Sequence, residues 1–423
     1  MTHPSRRDFL GMLGASTMLP LVGVDSVLGP AKAPAPARSL RIRAITAGVG
    51  LKAPTDLTRI EATIALLERA RKVFEADDYE VQTLRVATPP IMAGLNDRAR
   101  EVALAQLQAL DELAVARDVR IGIGPVLAAD HVDPNLPAWA AELVRTTRNL
   151  NFTVVVASPE GGPAPRAATV AAQTMVAIAR ATPGGLGNFR FAAAANIPPG
   201  TPFFPAAYHQ GPDALAIGLE SASLVEEAFG EKADAAEASI RLRRRLEEAL
   251  APVERTAAAI ARGEGRAYLG IDPSPAPGLD RSIGAAIEAL TQVPFGSAST
   301  LDACAAVTGA LKGLRVRTCG YAGLMLPVLE DPVLAKRATE GRYGVQDLLL
   351  YSSVCGTGLD VVPIPGDTPA DVVARIVLDV AALSAKLHKP LTARLFLIPG
   401  KNAGEVVRFT DPYLTDSAVL AVR

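Results

Sequence analysis

The chain has 423 residues, 49% of them hydrophobic, and its 43 Lys+Arg against 44 Asp+Glu leave a net charge near −1. That balance offers no electrostatic footprint for nucleic acid, and the apolar content excludes disorder over most of the length. Three cysteines make no disulfide scaffold, and 19 aromatic residues (11 Phe, 7 Tyr, 1 Trp) are too few for an aromatic-lined sugar or base platform.

The string Ser5-Arg6-Arg7-Asp8-Phe9-Leu10, followed by a moderately apolar run over 11–29, reads as a twin-arginine export signal. The run contains Asp25 with several Gly, Ser, Thr and Pro, and no later stretch reaches 18 uninterrupted apolar residues. No membrane anchor is therefore expected. Ala35-Pro36-Ala37 is the preferred cleavage site over Ala31-Lys32-Ala33, which Pro34 follows. The expected organisation is a signal over 1–37 and one domain over 38–423. Because the twin-arginine route carries folded proteins, folding and the loading of any cofactor are expected before export. The export machinery is then one partner, and the destination is periplasmic or extracellular.

Short β-rich runs then alternate with Ala/Leu/Arg stretches of helical period. Strands are expected at 40–46, 81–86, 119–123, 152–157 and 189–193, the third closed by Gly124-Pro125. Helices are expected at 57–76, at 97–116 capped by Asn96 or Asp97, at 137–149 and at 167–181. The stretch 220–262 is long and densely charged, and reads as a solvated outer helix broken at Gly230 and Pro252. The alternation resumes with strands at 266–271, 314–318, 359–362 and 393–398, and helices at 282–291, 299–312, 333–340, 346–352 and 369–389. Strict strand–helix alternation argues for βα units with parallel strands. About 386 residues after the signal, without a linker or a fixed-period repeat, fit one closed or strongly wound α/β domain.

Chemistry in such folds gathers in loops at strand carboxyl ends. Those of the second half are dense in Gly, Pro and ionisable residues. His209 follows an aromatic pair in a Gly/Pro-rich loop, a place suited to a general acid/base, and His131 is a second candidate. His388 closes a helix, where a cation suits the dipole. Asp272, Glu330, Asp331, Asp360 and Asp367 are expected to converge with His209. His209, Asp272, Cys355 and Asp360 are the candidate catalytic residues, and Glu330, Asp331 and Asp367 the candidate ligands of a divalent cation. Each Asp has a competing use as a helix cap or turn. Cys355 precedes a Gly-Thr-Gly turn whose amides would favour a thiolate. Cys304 reads as core, and a Cys319–Cys355 bridge is compatible with the spacing without being established by it. No zinc-ligand spacing, dinucleotide fingerprint, P-loop or nucleophile elbow is present.

The strings FFPAAYH, GID-S-AP, CGYAGLMLPVLED, YSSVCGTGLD-VPIPGD, KPLTARL and PGK-AG resemble the domain-of-unknown-function family 711, the UPF 0210 proteins, over about 40–422. That resemblance implies a ten-stranded α/β barrel like that of pyruvate formate-lyase. It implies no reaction. The stretch Arg317–Gly323 also resembles the glycyl-radical signature, with Cys355 as partner thiol. Here, however, Gly320 precedes the cysteine and about a hundred residues follow it. Gly320 and Gly323 therefore read better as turn glycines. The expectation from these residues is an exported enzyme of lyase or hydrolase type, acting by acid/base chemistry on a small polar metabolite at a barrel mouth. The alternatives are a non-catalytic periplasmic binder of small molecules and a degenerate glycyl-radical enzyme.

Overall fold

A computed structural model describes residues 40–51, 53, 56–128, 131–231 and 234–422. The twin-arginine string and its cleavage site lie outside these residues. The first half follows the expected alternation. Strand β1 (Arg41–Gly48) leads to α1 (Leu57–Ala76), β2 (Val81–Ala87), α2 (Asp97–Ala116), β3 (Val119–Leu127), α3 (Leu136–Thr146), β4 (Leu150–Ser158), the two-residue β5 (Gly162–Pro163) and α4 (Pro165–Ala181). Helix α1 starts where Asp56 accepts from the Arg59 amide at 3.1 Å, and α2 where Asn96 accepts from Ala99 at 2.9 Å. Asn96 rather than Asp97 is thus the cap.

After α4, residues 183–190 form a 3-10 helix, so β6 runs Phe191–Ala195, two residues later than expected. The next strand, β7 (Ala214–Glu220), was not expected at all. Its alternation is masked because both faces are apolar or small until Glu220. The charged stretch that follows is α5 (Ala222–Phe229) and α6 (Ala235–Gly263). The break falls near Gly230, but Pro252 does not break α6. One stripe of α6 (Leu242, Leu246, Leu250, Val253, Ala257) is buried on both sides of Pro252.

The remainder comprises β8 (Ala267–Ala276), α7 (Ile283–Thr291), α8 (Thr300–Lys312), α9 (Pro332–Thr339), α10 (Val345–Tyr351), β9 (Gly358–Pro365), α11 (Ala370–Leu387), β10 (Leu391–Ile398) and the short pair β11 (Val406–Val407) and β12 (Ser417–Ala418). The strand expected at 314–318 is reduced to a single parallel bridge from Thr318 to Ile271.

One ten-stranded sheet carries the fold, in the order β8-β7-β1-β2-β3-β4-β6-β10-β9, with β5 paired to β4. Along that order every pairing is parallel except β1–β7 and β6–β10. The sheet therefore consists of parallel blocks that meet antiparallel at those two seams. Its two end strands are both touched by one segment, since Thr318 bridges to β8 and Pro327 to Asp360 of β9. The fold is thus a mixed α/β single domain built on a mostly parallel sheet, as the alternation implied.

One face of the sheet packs on the helices. Ile42, Ile45, Leu84, Ile121 and Phe152 share one core with Ile64 and Leu67 of α1, Leu143 of α3 and Val377 of α11. The other face carries loops instead. The segments 320–324 and 355–357 cross so closely at Gly323 and Gly356 that no Cβ fits there. A Cβ on Gly356 would lie 2.2 Å from the Gly323 Cα, and the Gly356 amide donates to Leu324 O at 2.9 Å. Neither obstacle is a side chain that could rotate away. Gly356→Ala is expected to lower stability by about 3 kcal/mol or more, read as a lower denaturant midpoint at unchanged slope. A midpoint within error of wild type would refute the tight crossing.

Candidate functional site

The loop 198–212 lies against that second face, and the strands beneath it are trimmed to receive it. A Cβ on Gly218 of β7 would meet the Phe203 ring at 3.2 Å, and one on Gly122 of β3 would meet Ala207 O at 2.6 Å and Phe204 at 3.3 Å. A Cβ on Gly48 of β1 would overlap the His209 ring at 2.2 Å. Thr46 Oγ1 fixes the loop from β1 by donating to Pro202 O at 3.1 Å. The FFPAAYH string is thus a plug seated on glycines.

His209 is buried within this plug. Its Nε2 lies 2.9 Å from Pro212 O and donates to it, while Nδ1 is buried without a hydrogen-bond partner. Burial holds its pKa below 6.5, against smaller opposing effects of the Pro212 and Gly211 backbone and of Asp213. None of its hydrogen bonds reaches Asp272, Glu330 or Asp360. His131 is exposed at the surface.

Asp272, on β8, is also buried, and its carboxylate is fully occupied. It accepts from the amides of Tyr321 (2.8 Å), Ala322 (3.1 Å) and Ser274 (3.1 Å) and from Ser274 Oγ (2.6 Å). Gly320, at φ 70°, turns the chain around it. Burial raises the Asp272 pKa despite these donors. Asp331 is likewise saturated. It caps α9 through the Val333 and Leu334 amides (both 3.0 Å) and reaches the start of α7 through Ser282 Oγ (2.6 Å) and the Ile283 amide (2.7 Å). Asp367 is exposed. Among the described residues no group of three His, Cys, Asp or Glu is placed to hold a metal ion.

Cys355 is 1% exposed and belongs to the main apolar core. Its amide donates to Tyr351 O at 2.8 Å, and its carbonyl accepts from Lys389 Nζ at 2.6 Å. Cys304, Cys319 and Cys355 are all free thiols, so Cys319 and Cys355 are not bridged. Burial pushes the thiols of Cys304 and Cys319 up.

Of the candidate residues, Glu330 and Asp360 are the two that the fold brings together, and arginines do it. Arg394 of β10 donates to Asp360 (Nε to Oδ1, 2.7 Å) and to Glu330 (Nη2 to Oε1, 3.0 Å). Arg43 of β1 donates to the other Glu330 oxygen at 2.7 Å and to Glu220 at 3.1 Å. Burial raises the Asp360 pKa, and the charge of Glu330 adds to the rise while Arg394 and Arg43 oppose it. The side chains of Arg43 and Asp360 each keep 11% exposure, and those of Glu330 and Arg394 7%, so water-sized space still reaches this buried cluster. Tyr321 Oη lies 3.4 Å from Thr392 Oγ1, and its high pKa, set by burial, also registers Asp360 and Arg394.

Arg43, Arg85, Arg394 and Glu220 were not among the expected site residues. Their signal in the sequence is a charge inside a strand run, as in the Arg43 of RIRAIT, the Arg85 of LRVA and the Arg394 of TARLFL. A buried strand carries such a charge only where partners await it. Arg43 reaches its position through a register irregularity between Ile42 and Ala44. Ile42 and Ile45, an odd number of residues apart, both face the helix-side core, as a bulge requires.

Because burial keeps His209 neutral, its unfolded form (pKa about 6.5) binds a proton more readily than its folded form. Stability should therefore fall as pH drops below about 6.5 and be constant above it with respect to this group. In His209→Gln this contribution to the slope should vanish, as checked by denaturant midpoints between pH 5 and 8. An unchanged slope would show that the ring is not responsible.

The family model described as "Uncharacterised ACR (DUF711)" matches residues 36–411. A UPF0210 protein of Pyrobaculum aerophilum is 31% identical over 399 residues, covering 87% of each chain. One from Pyrobaculum islandicum is 33% identical over 400 residues, again 87% of each. A UPF0210 protein of Desulforudis audaxviator is 25% identical over 422 residues, 92% of each chain. The chain belongs to the uncharacterised DUF711 family, that of the UPF0210 proteins.

Proposed function

We propose that this protein is an enzyme of lyase or hydrolase type that performs acid/base chemistry on a small polar metabolite at the Arg43–Glu330–Arg394–Asp360 cluster. The observation that carries the reading is the paired carboxylates Glu330 and Asp360, held side by side by one guanidinium in a buried place that water still reaches. Two adjacent buried carboxylates resist double ionisation, so one of them retains a proton more readily than an isolated Asp. Asp360 is the group whose pKa is raised, and it is the residue assigned to donate or accept the proton. Tyr321 lines the same place. Asp272, Asp331 and Cys355 are given supporting roles, because amides or core packing occupy them.

The fold reading that accompanies this is a sheet closed into a ten-stranded barrel like that of pyruvate formate-lyase, the segment 318–327 joining β8 to β9. The bridges Ile271–Thr318 and Pro327–Asp360 support it. Closure would put the arginine–carboxylate cluster inside the barrel and make the loops 198–212 and 319–327 its fill.

Turnover is tested by incubating the full chain with a small-molecule extract and following depletion by mass spectrometry. Wild type should consume at least one small polar metabolite, and Asp360→Asn should reduce the rate about 100-fold or more. Because Asp360→Asn weakens an ion pair, Tyr321→Phe serves as the variant that keeps the cluster's charges; it should fold and slow turnover. Saturable binding of a metabolite with no turnover would support a binding protein instead and overturn the enzymatic reading.

For the N-terminus we propose export in the folded state by the twin-arginine machinery to the periplasm or beyond. The support is the order Arg6-Arg7, Phe9-Leu10, apolar run and small-residue cleavage zone. Replacing Arg6 and Arg7 together by Lys should hold the protein in the cytoplasm, as read by cell fractionation. Export unaffected by the double replacement would exclude the route.

A further inference from the structure

We infer that Arg85 is the anchor for a carboxylate group of the substrate, so that the metabolite is a small monocarboxylate. The inference rests on the reading that the Glu330–Asp360 cluster is the active site, and it adds the substrate class. Arg85, on β2, is 8% exposed. It meets no carboxylate within ion-pair distance among the described residues. Its Nε donates to Thr83 Oγ1 at 3.0 Å and its Nη1 to Pro202 O at 3.3 Å, and its guanidinium lies over the Phe204 ring, 5.0 Å from the centroid. Its second terminal nitrogen makes no hydrogen bond to a described residue. The guanidinium is thus held in orientation by neutral groups, with a donor to spare.

The charges around it make an unpaired cation costly. Burial pushes the Arg85 pKa down to about 9, and Arg43, Arg120 and Arg394 push in the same direction, with Glu330 opposing. The neighbouring carboxylates are already engaged, as Glu220 pairs with Arg41 and Arg43, Glu330 with Arg43 and Arg394, and Asp360 with Arg394. Arg41, at the rim, has Asp280 as well.

Arg190 shows what a settled buried arginine looks like in this fold. It too has its pKa lowered, to about 10, chiefly by burial. Yet it donates to Val144 O and Leu150 O and to Thr147 Oγ1, so the carbonyl end of α3 balances its charge. Arg85 has one carbonyl, one hydroxyl and a ring face.

Of Arg43, Arg85 and Arg394, Arg85 alone pairs with no carboxylate among the described residues. A substrate carboxylate would supply that partner and matches the planar fork of the guanidinium. A phosphate dianion would set a second negative charge near Glu330, the carboxylate that already acts on Arg85. Phe203, next to Phe204 in the chain, belongs to a small apolar group with Tyr321 and Met325, and Asp360 and Arg394 both act on Tyr321.

The test is thermal unfolding of the full chain in sodium acetate, and separately in sodium phosphate, at constant ionic strength set with chloride. Acetate should raise the melting temperature saturably in wild type. Arg85→Met should abolish that rise, and Arg85→Lys, which keeps the charge and loses the fork, should weaken apparent acetate affinity about tenfold. In acetate-free buffer Arg85→Met should melt no lower than wild type, since it removes an uncompensated buried charge. No saturable acetate effect in wild type, equal acetate affinity in wild type and both variants, or saturation by phosphate alone overturns the assignment. Asp360→Asn should still bind acetate, so loss of turnover in that variant and loss of acetate binding in Arg85→Met report on separate claims.

Discussion

The two-handed grip of Arg394 is the interaction on which the rest of the second face depends. One guanidinium holds Asp360 of β9 and Glu330 of the segment that follows Pro327, and Glu330 is passed on to Arg43 of β1. Strands far apart in sheet order are thereby tied across the sheet by charge. A buried chain of this kind adds little net stability over an apolar filling, but removing one member strands the others, at about 3–5 kcal/mol. The cluster therefore acts as a constraint on geometry. It fixes where β9, β10 and β1 stand relative to Glu330, and it holds two carboxylates closer than they would choose to be.

The plug of residues 202–209 meets the strand arginines at Arg85, which donates to Pro202 O and lies over the Phe204 ring. The plug can sit there only because β1, β3 and β7 each place a glycine beneath it. Small residues on the strands, aromatic rings on the loop and arginines in the gaps form one design. The rings occupy the space the glycines vacate, and Phe204 offers its face to Arg85. Of the 19 aromatic residues, Phe203, Phe204, Tyr208 and Tyr321 lie in the two loops of this face.

Much of the fold was legible because the helices and the helix-facing sides of the strands obey simple periodicities. Leu107, Leu110 and Ala114 of α2, or Ile121 and Ile123 of β3, announce themselves. What escaped did so for identifiable reasons. Strand β7 reads ALAIGLE, with no polar alternation, because both its faces are covered. The stretch 314–318 has strand composition but lies beside β8 at a single bridge before turning inward at Gly320. The site was half legible. Residue types in glycine-rich loops pointed to Asp360 and Glu330, but the arginines that organise them lie on strands. A search confined to loops passes over them.

The fates of Asp272 and Asp331 show why carboxylates in glycine-rich turns are poor guides when taken alone. Such turns expose several amides in one direction, and a buried carboxylate is the most economical group to satisfy them. Asp272 organises 320–323 in this way, and Asp331 starts two helices at once. A carboxylate committed to amides has its proton affinity set by groups that cannot move without unfolding the turn. One committed to arginines can exchange partners, because a guanidinium has five donors and a substrate anion can compete for them. Asp360 and Glu330 belong to this second kind. That distinction, rather than proximity to a histidine, separates carboxylates whose partners can exchange from those that hold the chain in shape.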